Sequence, residues 1–264
     1  MLTHPTLQKI KALKLHGMAK AFEEQLNMAD IGELSFEERL GLLIDREQTV
    51  KENRQVQTRL RKARLGQSAC VEDLDLRAQR GMDRSLLATL TACDWIASHL
   101  NLMITGPTGV GKSYLACALG QKACREGYTV EYHRVSRLFP DLSLAKGDGR
   151  YSAILRRLAK TELLILDDWG LSTLNEEARR DLLELVEDRC GKRSTLMTSQ
   201  LPIEHWHKII GDPTLADAIL DRLIHDAYKI NLKGESMRKR MAKIPKNIEE
   251  KEESARPSKE KEGK

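Results

Sequence analysis

The chain has 264 residues, 41% of them hydrophobic, and its 44 Lys and Arg against 39 Asp and Glu leave a formal net charge of +5. No apolar run approaches the roughly 20 residues that span a bilayer, and Met1–Pro5 lacks the apolar core of a signal peptide, so neither a membrane-spanning nor a membrane-bound protein is expected. Five cysteines (70, 93, 117, 124 and 190) form no C-x-x-C pair and no zinc-type spacing with histidine, and read as reduced thiols of a cytoplasmic protein.

Residues 5 to about 65 read as helices. Leu7, Ile10, Leu13, Leu15 and Met18 recur near helical spacing, and a second helix is expected from Ala19. Ser35-Phe36-Glu37-Glu38 has the form of a capping box, with Ser35 as N-cap and Glu38 three residues on. The helix it opens is expected to turn Leu40, Leu42, Leu43, Ile44 and Val50 inward. It runs into the segment from Lys51 to Arg64, which holds six bases and one acid. Arg54, Arg59, Arg61, Lys62 and Arg64 on such a helix would follow phosphates without reading bases. A solvated helix face is the plainer alternative, and charge alone does not choose between them. The chain then turns at Gly66-Gln67-Ser68, and a helical connector spans Leu86 to Ile96.

From Asn101 onward, strand-like and helical segments alternate, the pattern of a parallel sheet flanked by helices. Strands are predicted at 101–105, 129–133, 162–167, 194–199 and 228–232. Helices are predicted at 112–125, 136–145, 151–160, 175–190, 203–209 and 215–225, with Gly127 as a C-cap signal. Residues 241–264 lose apolar periodicity and mix Lys with Glu, so a disordered tail is expected. The division that follows is a helical unit at 1–68, an α/β ATPase unit at 69–240 and the charged tail at 241–264.

Between the first strand and the first helix of the α/β unit lies Gly106-Pro107-Thr108-Gly109-Val110-Gly111-Lys112-Ser113, which fits G-x-x-x-x-G-K-[ST]. Its glycines let backbone N–H groups turn inward around an anion, and the helix N-terminus adds unpaired donors. Lys112 would reach the β- and γ-phosphates of ATP, and the Ser113 hydroxyl would ligate Mg²⁺. About 55 residues further on, Leu163-Leu164-Ile165-Leu166-Asp167-Asp168 is an apolar strand ending in two acids. In open α/β sheets ligands bind at that edge. Asp167 sits where an acid would hold the Mg²⁺ shell, and Asp168 where a second acid would orient or deprotonate the attacking water. The alternative for Asp168 is the N-cap of the following turn. Gln200, closing the Ser194–Gln200 strand, would bond the γ-phosphate or that water, unless it is a plain strand-end residue. Trp95, Trp169 and Trp206 form no aromatic series for base stacking, and Cys117 and Cys124 share one helix face as core thiols.

Two Walker-type motifs separated by one strand, Thr198-Ser199-Gln200-Leu201-Pro202, Asp221-Arg222-Leu223 and Gly234-Glu235-Ser236-Met237-Arg238 together resemble the IstB helpers of insertion-sequence transposition. These are relatives of the DnaC helicase loaders in the AAA+ superfamily of P-loop NTPases. The likeness runs from about Leu7 to Arg240 and includes Leu15-His16-Gly17-Met18. It implies a sensor role for Gln200 and an arginine finger at Arg222, reaching the ATP site of a neighbouring subunit. It also implies a sensor-like or intersubunit phosphate contact at Arg238. Asp168 stands where many AAA+ proteins carry Glu, which implies slow, switch-like turnover. The partners implied are duplex DNA, a transposase and further copies of the chain; a DnaC-like replicative helicase loader is the alternative. For DNA the basic candidates beyond the Lys51–Arg64 helix are Arg134, Arg137, Lys146, Arg150, Arg156 and Arg157, with Lys146–Arg150 as a basic loop.

Overall fold

The computed structural model describes residues 4–74, 81 and 83–237. The expected tail and Arg238 lie outside them.

Three helices open the chain: α1 (Pro5–Ala12), α2 (His16–Leu26) and α3 (Phe36–Ala63). The second begins three residues earlier than Ala19, and the reason is a cap supplied from another helix. Glu47 of α3, buried, accepts from the backbone N–H groups of Gly17 (2.7 Å) and Met18 (3.0 Å), satisfying orphan donors of the first turn. These bonds hold its carboxyl below the usual range, the Met18 bond first, against the opposing effect of burial. Gly17 is required by contact, since a Cβ there would lie 2.6 Å from the Arg46 carbonyl oxygen.

The capping box forms as expected, Ser35 Oγ accepting from Glu38 N–H and the Glu38 carboxylate from Ser35 N–H. The inward face of α3 differs from expectation. Leu43 is buried, but Leu40, Leu42 and Ile44 are exposed, as is Leu13 after α1. A helix packed along one side against α2 covers only a narrow stripe, here the Leu43–Glu47 line. The far end of α3 packs on the sheet unit instead, where Ala63 and Leu60 join its core.

Short helices α4 (Arg84–Thr91) and α5 (Asp94–Ala97) lead into β1 (Asn101–Thr105). Then follow α6 (Lys112–Arg125), β2 (Val130–Arg134), α7 (Val135–Gly147), α8 (Tyr151–Lys160), β3 (Leu163–Trp169) and α9 (Glu176–Arg189). The chain continues through β4 (Ser194–Ser199), α10 (Trp206–Ile210), α11 (Pro213–Ile224) and β5 (Ala227–Asn231). The five strands pair in parallel in the order β2-β3-β4-β1-β5. All five predicted strands are present within two residues of their expected ends.

Side chains alternate across this sheet with period two. Leu102, Ile104, Leu163 and Ile165 face α6 and the end of α3, while Met103, Leu164, Leu166 and Met197 face α7, α8, α9 and α11. Full burial of each such side chain contributes about 1.5–3 kcal/mol. Cys117 and Cys124 are buried on α6, and Trp169 packs against Trp206 with ring centroids 5.7 Å apart. The fold is thus the expected P-loop α/β type, and its carboxyl edge collects the groups considered next.

Candidate nucleotide site and basic cleft

The loop after β1 is wound around left-handed backbone at Gly106, Gly109 and Gly111. Gly109 is also a contact point, because a Cβ there would lie 2.2 Å from Ser236 Oγ. The segment after β5 runs along the loop: Leu232 N–H donates to the Thr105 carbonyl and Met237 N–H to the Gly109 carbonyl, both at 2.8 Å. Lys112, buried, donates to the carbonyl oxygens of Gly106 (2.8 Å) and Pro107 (2.9 Å), which arches the loop over its ammonium.

Asp167 is the hub of the opposite wall. Its Oδ1 accepts from Ser113 Oγ at 2.9 Å and from Thr198 Oγ1, and its Oδ2 from the Tyr132 hydroxyl at 2.6 Å. Alternation along β3 puts Asp167 on the α6 face with Leu163 and Ile165, beneath the loop. Asp168 would then point to the other face, but β3 is bulged between Leu166 and Trp169 and Asp168 adopts left-handed backbone, φ 62°. The bulge re-aims the second acid into the pocket, its N–H donating to Thr198 Oγ1 at 3.1 Å. The strand continues to Trp169, so Asp168 is a bulge residue rather than an N-cap.

Thr108 Oγ1 donates to Gln200 Oε1 at 2.6 Å, which ties the loop to the end of β4. The pocket these groups enclose holds about 500 Å³, and Gln67, Asp73, Leu74, Tyr114, Arg134, Leu171 and Met237 complete its walls. That volume is in the range of small-molecule sites. Ser113 Oγ beside the Asp167 carboxylate is an oxygen pair of the kind Mg²⁺ takes together with substrate phosphates. Arg222 stands apart on α11, half-buried, its guanidinium bonded to the Ala218 carbonyl (2.7 Å) and paired with Glu187 (3.1 Å). The partner is Glu187, rather than the neighbouring Asp221 or Asp226.

The IstB-like ATP binding protein family profile matches residues 8–244. The chain is 56% identical over 239 residues to an insertion sequence ATP-binding protein of Sinorhizobium fredii, across 90% of this chain and 98% of that relative. The chain belongs to the IstB-like ATP-binding family. Solved structures of DnaI (20% identical, TM-score 0.55, 67% of this chain and 94% of that one) and of the DnaC helicase loader (18%, 0.50, 62% and 97%) share its fold. At such identities the likeness speaks for the fold alone. Among the described residues of this IstB-like chain, no helix is long and apolar enough to cross a membrane.

The basic candidates divide sharply. Arg59, Arg61, Lys62 and Arg64 of the α3 end meet Arg156 and Arg157 of α8 across one cleft of about 860 Å³ floored by β2. Lys160, one helical turn beyond Arg156, joins them; its i+4 spacing was visible in the sequence. Arg157 pairs with Glu131 of β2 at 3.2 Å, and Arg59 Nε donates to the Cys124 carbonyl. Arg54 and Arg137 are exposed outside the cleft. Lys146 lies in the last turn of α7, not in a loop, and is held by Glu177 (2.9 Å), Asp181 (2.7 Å) and the face of Tyr151. Arg150 bonds Asp148 two residues away. Arg134 lines the pocket beneath the Gly106–Ser113 loop instead of the cleft. Tyr132 and Thr198 escaped sequence reasoning as site groups, because their bonds to Asp167 depend on strand register.

Proposed function

We propose that this chain is an ATP-hydrolysing switch that assembles on duplex DNA and activates or regulates a cognate transposase. The observation that carries the reading is the Lys112, Ser113, Asp167 and Asp168 constellation at one end of the sheet, with the seven-cation cleft beside it on β2. ATP would bind with its β- and γ-phosphates at the loop N–H groups and Lys112. Ser113 and Asp167 would hold Mg²⁺, which when bound neutralises phosphate charge. Asp168 would orient a water whose oxygen bonds to the γ-phosphorus as the β–γ bridging bond breaks, giving ADP and phosphate. The water proton leaves through Asp168 to the products.

Arg222, on a half-exposed helix away from its own pocket, would complete the site of a neighbouring copy. ATP then bridges subunits, and binding at the interface couples assembly to nucleotide by linkage. DNA would lie along the cleft through phosphate contacts alone. The first 68 residues would form the DNA- or partner-binding unit and 69–240 the ATPase. The scattered free cysteines support a cytoplasmic setting.

The deciding experiment measures ATP hydrolysis by purified chain with and without duplex DNA, alongside capture on purified transposase and purified replicative helicase. Turnover lost in Lys112→Ala together with transposase capture supports the proposal. Capture of the helicase alone transfers the same ATPase to the DnaC-like loader alternative, which the shared fold keeps in view. Hydrolysis unaffected by Lys112→Ala overturns the nucleotide site.

A further inference from the structure

Arg134 ends β2, and its position follows from the strand rather than from the charge of the segment around it. In a parallel pair, Arg134 is in register with Asp167 and Tyr132 with Ile165. Side chains two apart share a face, so Tyr132 and Arg134 lie on the α6 face, the side of Ser113 and Lys112. Glu131 and His133 take the other face, where Glu131 meets Arg157 and Thr161 of the α8 end. The cations of the basic cleft come from both sides of this edge strand, the α3 end beside Tyr132 and α8 beside Glu131, but Arg134, at the carboxyl end of the strand, lines the pocket and not the cleft.

Its surroundings fit a phosphate. Arg134 and Lys112 are the cations of the described pocket wall, against Asp73 and Asp168, with Asp167 beneath. Lys112 opens α6 after the β1 loop, while Arg134 stands beyond Asp167 at the far edge of the strand order. The Tyr132 oxygen and the nearby Asp168 and Asp167 carboxylates favour the charged form of the Arg134 guanidinium. Tyr132 in turn donates to Asp167. Tyr132 and Arg134, two apart on one face, thus stand beside Asp167 on the pocket side of the sheet. A planar fork of five donors matches phosphoryl oxygens better than any other side chain.

We propose that Arg134 is a phosphate-binding residue for the subunit's own nucleotide, contacting the γ-phosphoryl group from the side opposite Lys112. The assignment rests on the reading of the pocket as an ATP site. Arg134 thereby distinguishes ATP from ADP within one subunit, separately from any contribution Arg222 makes to a neighbour. Asp168 in the same wall would otherwise repel the γ-phosphate, and a cation beside it offsets that repulsion.

The experiment compares full-length chain with Arg134→Gln and Arg134→Lys, titrating a non-hydrolysable ATP analogue and ADP, each with Mg²⁺, by competition against a fluorescent nucleotide. Binding of the ATP analogue is expected to weaken about tenfold or more in Arg134→Gln, the scale of a charge-assisted bond, with ADP within about twofold. Arg134→Lys should fall between, retaining charge without the fork. The salt dependence of duplex DNA binding should not change. A variant that loses about one unit of salt slope while keeping its preference for ATP over ADP would return Arg134 to the DNA surface and overturn the assignment. Equal weakening of both nucleotides would overturn it too, as a general effect on the pocket. Lys112→Ala serves as the control for the underlying site: unchanged ATP affinity in that variant removes the ATP reading, and this assignment with it.

Discussion

The Tyr132 hydroxyl donates to Oδ2 of Asp167 at 2.6 Å, so a residue of the edge strand fixes the acid at the centre of the nucleotide wall. The other carboxylate oxygen takes Ser113 from α6 and Thr198 from β4. Three hydroxyls from three elements thus determine one carboxylate. Burial and the Asp167 bond both push the Tyr132 phenol far above its usual range, so it remains a donor at all physiological pH.

Tyr132→Phe should therefore lower ATP turnover without abolishing nucleotide binding. Groups that orient a metal-ligating carboxylate typically contribute about 10- to 100-fold in activity or metal affinity. The expected result is kcat down about tenfold, a higher Mg²⁺ requirement and a KM for ATP changed less than kcat. A variant with wild-type kcat and Mg²⁺ dependence would show that Ser113 and Thr198 suffice.

The centre of the sheet was legible because β1 and β3 carry contiguous apolar runs, Leu102–Ile104 and Leu163–Leu166, and the remaining strands followed from their alternation with helices. The phosphate loop was legible for the same reason, being contiguous. What escaped depends on which residues face one another. Charge along the chain groups Arg134 with Arg137 and Lys146, whereas strand alternation places Arg134 at the pocket beneath the Gly106–Ser113 loop and Lys146 is absorbed by Glu177 and Asp181. Leu40, Leu42 and Ile44 read as core because they are apolar, yet the α2 contact follows Leu43 and Glu47. An acid as a buried helix cap, thirty residues from the donors it satisfies, leaves no local signature.

Arg222→Ala separates a functional arginine from a structural one. Its pair with Glu187 is partly exposed, and such pairs contribute about 0–1 kcal/mol. The thermal midpoint should barely move. If Arg222 completes a neighbour's site, turnover should fall about 10³-fold or more. Mixing Arg222→Ala with Lys112→Ala chains should restore part of it, since one intact loop then meets one intact arginine. No recovery at any ratio would count against a shared site.

Neutralising Arg156, Arg157 and Lys160 together to Gln should weaken duplex binding uniformly across sequences. Each DNA phosphate that is no longer neutralised lowers the slope of log affinity against log salt by about 0.9. Arg157 already partners Glu131, so a drop nearer two units than three is expected. Lys146→Gln and Arg150→Gln, both outside the cleft, should leave the slope unchanged. The reverse pattern would move the DNA surface to the α7–α8 turn.

Glu47→Gln tests the cap on α2. The bonds from Met18 and Gly17 depress the folded-state pKa, so the stabilisation is present above the unfolded value and is lost as pH falls through the folded one. At pH 7 the variant should be less stable by about 1 kcal/mol, the scale of a helix cap. The gap in unfolding midpoint between wild type and variant, measured on the full chain, should narrow as the pH is taken below about 4. A gap that is constant with pH would mean that Glu47 contributes by packing rather than by charge.

Arg189→Met probes the frame on which the acids are mounted. Arg189 is buried at the end of α9 and donates to the carbonyls of Leu158 (2.5 Å), Thr161 (2.7 Å) and Ser194, and to Thr195 Oγ1 (3.0 Å). It thus joins the end of α8 and the approach to β3 to the first residues of β4. Methionine fills similar volume but leaves these acceptors without a donor, at a cost of about 1–3 kcal/mol for each one that water cannot reach. The urea midpoint should fall by an amount equivalent to about 3 kcal/mol or more, with the slope of unfolding unchanged. Arg189→Lys should recover only part of this, because one ammonium does not span acceptors divided between the end of α8 and β4. Arg193→Ala, a half-buried neighbour bonded to the Lys160 and Lys192 carbonyls, should stay within about 0.5 kcal/mol of wild type. If Met and Lys shift the midpoint no more than the Arg193 variant does, the β3–β4 register is set by the apolar core alone, and Arg189 is dispensable to the placement of Asp167 beside Thr198.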